Sequence, residues 1–265
     1  MVQASRIADD LRSLGLAAGD TIMLHVSLRR VGPVEGGAVG LVHAIESVLG
    51  PDGTLMMILG DDDPWAWVNE RPMEERSALL ADAEPFDSQT APVLPEVGML
   101  AEVVRTMPGT LVNDNPEGRF AARGARASQL IEHAPWDDYY GPDSPLDRLV
   151  QIGGKVLRLG ANLDTVTGLH HAEYLAHVEN KRRVWRLRKV MGPDGPELRV
   201  ITCLDDEHGI VDDDFDEDYF AIMLKAYLAT GRGSRGVVGS ATSELIDAAD
   251  IVAFGVEWMS ENLHA

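Results

Sequence analysis

The sequence predicts one α/β domain, an α/β/α sandwich around a mixed, partly parallel sheet with an antiparallel hairpin inserted into it. Apolar runs of strand length alternate with amphipathic helical segments, and short connections join them. This order is typical of βαβ units and parallel strands. Farther along, a Pro-Asp-Gly turn joins two β-rich runs directly, as in a hairpin. The 265 residues, 45% of them hydrophobic, are enough to bury a large core.

The first βαβ unit has the clearest pattern. Ile7, Leu11 and Leu14 recur at helical spacing and predict a first helix. Two apolar strands follow at 21–26 and 54–59, with an amphipathic helix between them. The periodicity is then lost over residues 60–96. Loops of this length are usually functional, so we expect this segment to be a lid or a substrate loop.

The remaining elements follow without a linker, a repeat or a change of composition, so we expect residues 1–265 to form one domain. Residues 182–190 and 197–203 flank the turn at 192–195 and predict the hairpin insertion, 181–203. The other predicted helices cover 97–107, 127–133, a segment that opens at Ser144-Pro145, 167–178, 216–230 and 247–261, and the other predicted strands cover 120–123, 155–159 and 236–241.

Composition limits the partners. Asp and Glu number 43 against 23 Lys and Arg, which gives a net charge of −20. Nucleic acids and anionic membranes bind clustered cations, so the acid excess argues against both as partners. It fits a small cationic ligand, or equally a charge kept for solubility. Cys203 is the only cysteine, which excludes an internal disulfide and a thiolate zinc cluster. No apolar run has signal-peptide or membrane-span length, so we expect a soluble, cytoplasmic protein.

Two further patterns predict no site. Residues 231–236 read GxGxxG, but they follow a predicted helix and precede a predicted strand, the reverse of the dinucleotide-binding context. A helix-to-strand turn explains them better. The basic run at 181–189 falls on the predicted hairpin of an acidic chain, and we interpret it as a solvated edge.

His170 and Glu173 form the first candidate constellation. They lie three residues apart near the start of a predicted helix that follows the 155–159 strand, where α/β folds place their sites. The helix dipole in the first turn disfavours the imidazolium, which predicts a neutral ring able to accept a proton. Spacing alone leaves two alternatives. The helix could be an ordinary surface helix, or His170, Glu173 and His177 could hold a metal ion, although no second motif completes such a site.

Two other stretches carry candidate binding residues. Residues 27–37 join a strand to a helix, so backbone N–H groups near Gly36 and Gly37, with Arg29 and Arg30, could hold phosphate oxygens. Acidic residues cluster at 61–63 and 205–218. They are consistent with a wall for a polycationic ligand and equally with solvated charge runs.

Together these stretches resemble the aminoglycoside 3-N-acetyltransferase family, whose antibiotic N-acetyltransferase fold is unrelated to the GNAT acetyltransferases. The matching segments occur in family order and span nearly the whole chain: 25–37, 141–146, 159–173, 180–184, 236–241 and 254–258. The resemblance implies acetyl transfer from acetyl-CoA to the 3-amino group of a 2-deoxystreptamine antibiotic, without a metal. Two alternatives remain, acetylation of a different amine and a metal-dependent hydrolase. The assembly is left open between a monomer and a homodimer.

The resemblance also implies roles for residues. His170 is the general base, Glu173 orients its ring, and Thr165 or Ser27 hydrogen-bonds the thioester. The implied acetyl-CoA site comprises Ser27, Leu28, Arg29, Arg30, Val31, Gly32, Gly36, Gly37 and Ser144. The implied aminoglycoside site comprises Asp61, Asp62, Asp63, Asp164, Asp212, Asp213 and Asp214.

Overall fold

A computed structural model describes residues 1–264. Within that range the strands are β1 (Thr21–Val26), β2 (Thr54–Ile58), β3 (Leu111–Val112), β4 (Phe120–Gly124), β5 (Lys155–Leu159), β6 (Arg183–Gly192), β7 (Gly195–Leu204), β8 (Ser234–Val238) and β9 (Ala241–Asp247). The α-helices there are α1 (Ala4–Leu14), α2 (Leu28–Val31), α3 (Gly37–Leu49), α4 (Met73–Leu79), α5 (Met99–Thr106), α6 (Ala127–Ile131), α7 (Pro145–Gln151), α8 (Gly168–Leu175), α9 (Tyr219–Ala229) and α10 (Ala248–Asn262).

The seven-stranded sheet confirms the predicted mixed architecture. Its order is β3-β4-β2-β1-β5-β9-β8. Strand β1 pairs in parallel with β2 on one side and with β5 on the other, while β4, β9 and the edge strands pair antiparallel. Strands β1, β2 and β5 run in the same direction, so their carboxyl ends lie at the same edge of the sheet. Folds of this kind place their ligands there.

Each face of the sheet is covered by helices, because the side chains of a strand alternate between its two faces. On β1, Ile22 and Leu24 join a core with α1, α3 and α5, whereas Met23 joins a core with α6 to α10. The α/β/α sandwich is thereby confirmed. The helix predicted to open at Ser144-Pro145 is present as α7. Several helices begin at side chains that accept hydrogen bonds from the first turn, namely Ser144 at α7, Asp218 at α9 and Asp247 at α10.

The C-terminal strands differ from the prediction. The prediction of a single strand over residues 236–241 is wrong, because the chain turns at Gly239-Ser240 and forms the antiparallel pair of β8 and β9. The polar run in β9 carries no alternating apolar signal. It is nevertheless buried, because Glu244 accepts a hydrogen bond of 2.8 Å from Arg158 on neighbouring β5.

The predicted hairpin insertion is confirmed as a separate two-stranded sheet of β6 and β7 with a two-residue turn, and we call it the hairpin. Residues 60–96, called the lid below, pack on it. Val68, Leu80 and Ala83 of the lid form a small core with Leu187 of β6. The fully buried Arg119 donates hydrogen bonds to four lid carbonyls, at residues 60, 88, 91 and 92. These contacts tie the lid to both the hairpin and the sheet.

The prediction that the basic run of the hairpin is a solvated edge is wrong for Arg186 and Arg188. Arg186 and Arg188 lie on one face of β6, with side chains 13% and 8% exposed, and both pair with carboxylates. In the GxGxxG run, residues 231–233 form the turn after α9 and residues 234–236 begin β8, as the helix-to-strand interpretation requires. No helix in residues 1–264 is long and apolar enough to span a membrane. The cytoplasmic location stays a prediction.

Candidate active site

The loops after the three parallel strands meet at the carboxyl edge of the sheet. Residues 27–30 follow β1, residues 60–63 follow β2 and residues 160–165 follow β5, while Glu117 lies just before antiparallel β4 at the same edge. Gly160 has φ +64, and a Cβ there would lie 2.9 Å from the Cβ of Arg30. A side chain at this position would therefore push the first and third loops apart.

His170 lies on the first turn of α8 and faces this edge. Its Nδ1 lies 2.8 Å from Oε2 of Glu173, and the Tyr219 hydroxyl donates a hydrogen bond to the other oxygen, Oε1. The Glu173 side chain is only 2% exposed, so both oxygens are committed within the protein. Among the described residues Nε2 of His170 has no hydrogen-bond partner, which leaves this nitrogen for a ligand.

Aromatic rings fix the plane of the imidazole. The Tyr140 ring stacks on it at 5.0 Å and 16°, and Phe220 meets it edge-on at 4.7 Å. Burial lowers the pKa of His170, but the charge and hydrogen bond of Glu173 outweigh burial, and the pKa is raised above its ordinary value. The direction of this shift is opposite to the one expected from the helix dipole. A buried carboxylate at hydrogen-bond distance acts more strongly than a helix terminus.

A cleft of about 710 Å³ opens on one side of His170, and we call it the sheet-edge cleft. Ser27, Leu28, Arg29 and Arg30 line it together with Thr165 and the apolar side chains of Met57, Val97 and Leu100. Arg30 donates to the carbonyl of Gly160 at 2.6 Å and to Oδ1 of Asn162 at 2.8 Å, so it braces two loops. Arg29 is exposed and has no side-chain partner among residues 1–264, so it is free for an anion.

The other residues that were predicted to bind acetyl-CoA do not line this cleft. Val31 is fully buried in the core, Gly32 ends α2, and Gly36 and Gly37 are exposed at the start of α3. Ser144 is fully buried and its hydroxyl caps α7 by accepting from the backbone of Asp147. In this structure Ser144 therefore has a structural role as a helix cap. The family motif in which it lies does not by itself distinguish a helix cap from a ligand-binding residue.

A second cavity, of about 570 Å³, lies between the sheet edge, the lid and the hairpin, and we call it the acidic pocket. Trp67 of the lid and Trp185 of the hairpin line it, with 41% and 53% of their surfaces exposed. A smaller pocket of about 320 Å³ shares His170 with the sheet-edge cleft and Asp206 with the acidic pocket. His170 therefore lies at the side of the cleft that adjoins the acidic pocket through the smaller pocket. The carboxylates around the acidic pocket are those of Asp61, Asp62, Asp63, Glu70, Glu117, Asp205, Asp206 and Glu207.

The predicted acidic residues are only partly brought together. Asp61, Asp62 and Asp63 line the acidic pocket, and Asp164 and Asp213 line the smaller pocket beside His170. Asp212 instead pairs with Arg182 outside these cavities, and Asp214 is exposed and lines none of them. Both lie in a solvated run, so the structure places these two outside the candidate site.

Sequence reasoning missed the residues that hold this site together. Tyr219 and Tyr140 position Glu173 and His170, and Glu117 bridges Arg186 and Arg188. Among these residues only the two arginines leave a pattern in the sequence. Charged residues at positions i and i+2 of a strand face the same side, so their side chains were predictable as neighbours. The partners of the others are distant in sequence, and no local spacing reveals them.

The structure does not support the metal-site alternative. Helix α8 ends at Leu175, so His177 leaves the helical face that carries His170 and Glu173, and its backbone N–H bonds to Ser260 instead. No group of three or more His, Cys, Asp and Glu side chains in residues 1–264 is arranged to hold a metal ion. Burial also raises the pKa of the Cys203 thiol to about 12, so this residue is a poor nucleophile.

Comparison with known proteins identifies the class. The family model for aminoglycoside 3-N-acetyltransferase matches residues 23–260, and the chain belongs to this family of acyltransferases. It is 40% identical to aminoglycoside N(3)-acetyltransferase VII of Streptomyces paromomycinus, over 99% of this chain and 93% of that protein. The structure is similar to AAC-IIIb in binary complex with CoASH, at TM-score 0.91 and 39% identity over 98% of this chain and 97% of that one. It is also similar to sisomicin-bound AAC-VIa, at TM-score 0.91 and 35% identity over 98% of both chains.

Proposed function

We propose that this enzyme transfers the acetyl group of acetyl-CoA to the 3-amino group of 2-deoxystreptamine aminoglycosides, directly and with His170 as the general base. This activity confers resistance, because an acetylated amine loses the charge with which the drug binds. The observation that carries the proposal is the position of His170. It lies between a cleft that presents a free arginine and a pocket rich in carboxylates, and these suit an anionic donor and a polycationic acceptor.

The sheet-edge cleft is the proposed donor site. Acetyl-CoA carries its negative charge on phosphates and presents a long, largely uncharged arm. Arg29 supplies an unpaired cation, and the apolar side chains of Met57, Val97 and Leu100 supply a surface for the arm. Burial and nearby Arg158 lower the pKa of cleft-lining His25 to about 3, so that ring adds no charge at working pH. The relative in complex with CoASH supports the use of this cofactor as the co-substrate.

The acidic pocket is the proposed acceptor site. An aminoglycoside presents several ammonium groups on sugar rings whose CH faces are apolar. Asp62 and Glu70 provide exposed carboxylates, and Trp67 and Trp185 provide aromatic faces for stacking and cation–π contacts. The sisomicin-bound relative is consistent with such a ligand.

The proposed chemistry starts with a proton. An ammonium has no lone pair with which to attack a thioester, so it must lose a proton before or during attack. Nε2 of His170 accepts this proton, while Glu173 holds the tautomer protonated on Nδ1 and stabilises the imidazolium that forms. Tyr219 fixes the far oxygen of Glu173. The amine then bonds to the acetyl carbon and the carbon–sulfur bond breaks. The nitrogen loses its second proton as the amide forms, and the departing CoA thiolate accepts this proton and leaves as the thiol. The Thr165 hydroxyl donates a hydrogen bond to Asp164 at 3.0 Å. Rotated toward the cleft that Thr165 lines, this hydroxyl would donate to the acetyl oxygen instead.

The test is a thiol-release assay with acetyl-CoA across structurally different amines. We expect CoA release with 2-deoxystreptamine aminoglycosides and a product whose 3-amino group is acetylated, located by NMR. Arylamines and simple polyamines are the controls. CoA release with these amines but not with aminoglycosides would contradict the proposal and favour a different amine acceptor.

A further inference from the structure

Arg188 of β6 contacts carboxylates from two separate segments of the chain. Its guanidinium bonds to Asp61 of the lid and to Glu117 before β4, and its Nε lies 3.3 Å from Oδ2 of Asp63. All four side chains are at most 15% exposed. One cation therefore joins the lid, the sheet edge and the hairpin at the wall of the acidic pocket.

Arg186 repeats this arrangement one step along the same face of β6. Its guanidinium lies 2.8 Å from Asp206 and 3.4 Å from Glu117, and it donates to the Tyr139 hydroxyl at 2.7 Å. Glu117 is thus shared between the two arginines. Both charges are fixed by several partners at once, so they stay in place while a ligand comes and goes.

Without the arginine the carboxylates would not keep this arrangement. Burial raises the pKa of Asp61, and the charge and hydrogen bond of Arg188 offset part of that effect. Asp63 is another neighbour whose charge raises the same pKa. Removing Arg188 would leave buried carboxylates that repel each other or take up protons, and the lid would lose its charged attachment to the hairpin.

Arg188 also decides which carboxylates remain open to a ligand. Asp61 and Asp63 are engaged by it, whereas Asp62 and Glu70 are exposed and have no side-chain partner among residues 1–264. Glu207 is 70% exposed and lies 3.9 Å from Arg186. A fixed cation at the wall repels ammonium groups, so it restricts the orientations in which a polycation fits.

We propose that Arg188 is a positioning residue for the acceptor, which fixes Asp61, Asp63 and Glu117 and thereby sets the affinity and orientation of the polyamine in the acidic pocket. This inference rests on the proposed function, because it takes the acidic pocket as the acceptor site. It goes further in assigning a structural cation, rather than another carboxylate, to the control of acceptor binding.

The test compares Arg188→Met and Arg188→Lys with Arg123→Met. Arg123 pairs with Glu46, with side chains 15% and 32% exposed, and lines neither cavity, so its variant controls for the loss of a partly buried ion pair. We expect Arg188→Met to raise the KM for sisomicin about tenfold or more, since truncating one partner of a buried charge pair leaves the other partners unpaired. The KM for acetyl-CoA should change less than twofold. Arg188→Lys, which keeps the charge but loses the fork, should raise the sisomicin KM by about threefold.

The outcomes separate position from folding. Arg123→Met should lower Tm as Arg188→Met does while leaving both KM values unchanged. An unchanged sisomicin KM in Arg188→Met, or an equal rise in both KM values, would overturn the inference. If Arg188→Met does not fold, the expected rise in Arg188→Lys decides. Calorimetry with sisomicin gives binding without turnover: a wild type that binds but does not acetylate contradicts the proposed function alone, and equal affinities of wild type and Arg188 variants contradict only this inference.

Discussion

The sheet-edge cleft and the acidic pocket adjoin each other near His170 but differ in how they present charge. The cleft keeps Arg29 free and uses Arg30 to brace its own loops. The pocket has a large excess of carboxylates, yet two arginines already occupy its wall. The cleft is built on loops that follow parallel strands, whereas the pocket needs the lid and the hairpin. A protein of net charge −20 can thus hold an anionic donor, because the charge is distributed unevenly over its surface.

The largest effect is expected at the junction of the two cavities. His170→Ala removes the proposed proton acceptor, and kcat should fall roughly 10²- to 10⁴-fold, the usual contribution of a general base. Binding of acetyl-CoA and of sisomicin, measured by calorimetry, should stay within twofold, because the charged side chains proposed to hold the two substrates are other residues of the two cavities. His43→Ala on α3, whose ring lines neither cavity, is the control. Turnover near the wild-type rate in His170→Ala would exclude the base assignment.

Glu173→Gln tests how the carboxylate of Glu173 controls the tautomer and the basicity of His170. We expect kcat to fall roughly 10- to 100-fold, the worth of a charge-assisted hydrogen bond. The amide can donate to Nδ1 and so favour the tautomer whose Nε2 carries the proton.

The pH profile of the same variant has a definite sign. Glu173 raises the pKa of His170, and the base must be neutral, so wild-type kcat/KM should fall as the pH drops through a value above 6.5. In Glu173→Gln that pKa loses its raising partner, and the acid limb should move to lower pH. A limb that stays in place would show that another group controls it.

A pair of charge removals tests whether the two cavities act separately. Arg29→Met should raise the KM for acetyl-CoA about three- to fivefold and leave the sisomicin KM unchanged, the scale of an exposed ion pair. Asp62→Asn should do the reverse, by about threefold. Both side chains are exposed, so neither variant should lower Tm. A variant that shifts both KM values equally would mean that the cavities are one electrostatic unit.

The smallest effect concerns salt. Raising the ionic strength from about 0.05 to 0.3 M should increase the sisomicin KM by roughly threefold, because screening weakens attraction between a polycation and exposed carboxylates. In Arg188→Met the carboxylates lose the arrangement that Arg188 fixes, so fewer of them attract the polycation and the salt response should be weaker than in the wild type. A flat response in both proteins would count against electrostatic capture.

Most of the sheet could be predicted from local patterns, and so could the pairing of His170 with Glu173. Residues three positions apart in a helix lie on the same face, so this pairing follows from local structure alone. Strands β1 and β5 were found at their observed bounds because both are short apolar runs between turns. Strand β9 was missed because its polar residues are buried by a partner on β5, and burial of this kind leaves no periodic signal.

The sequence by itself determined the class of fold, the pairing of His170 with Glu173, the loop of the sheet-edge cleft, and the excess of acid. Only the tertiary structure decided which acidic residues are open to a ligand. It brought Arg188 to Asp61 and Glu117, Tyr219 to Glu173, and sent Asp212 to Arg182 outside the site. The physical reason is range. Helix and strand spacing act over a few residues, whereas the free energy of a charge depends on its burial and on partners that only the folded chain brings near.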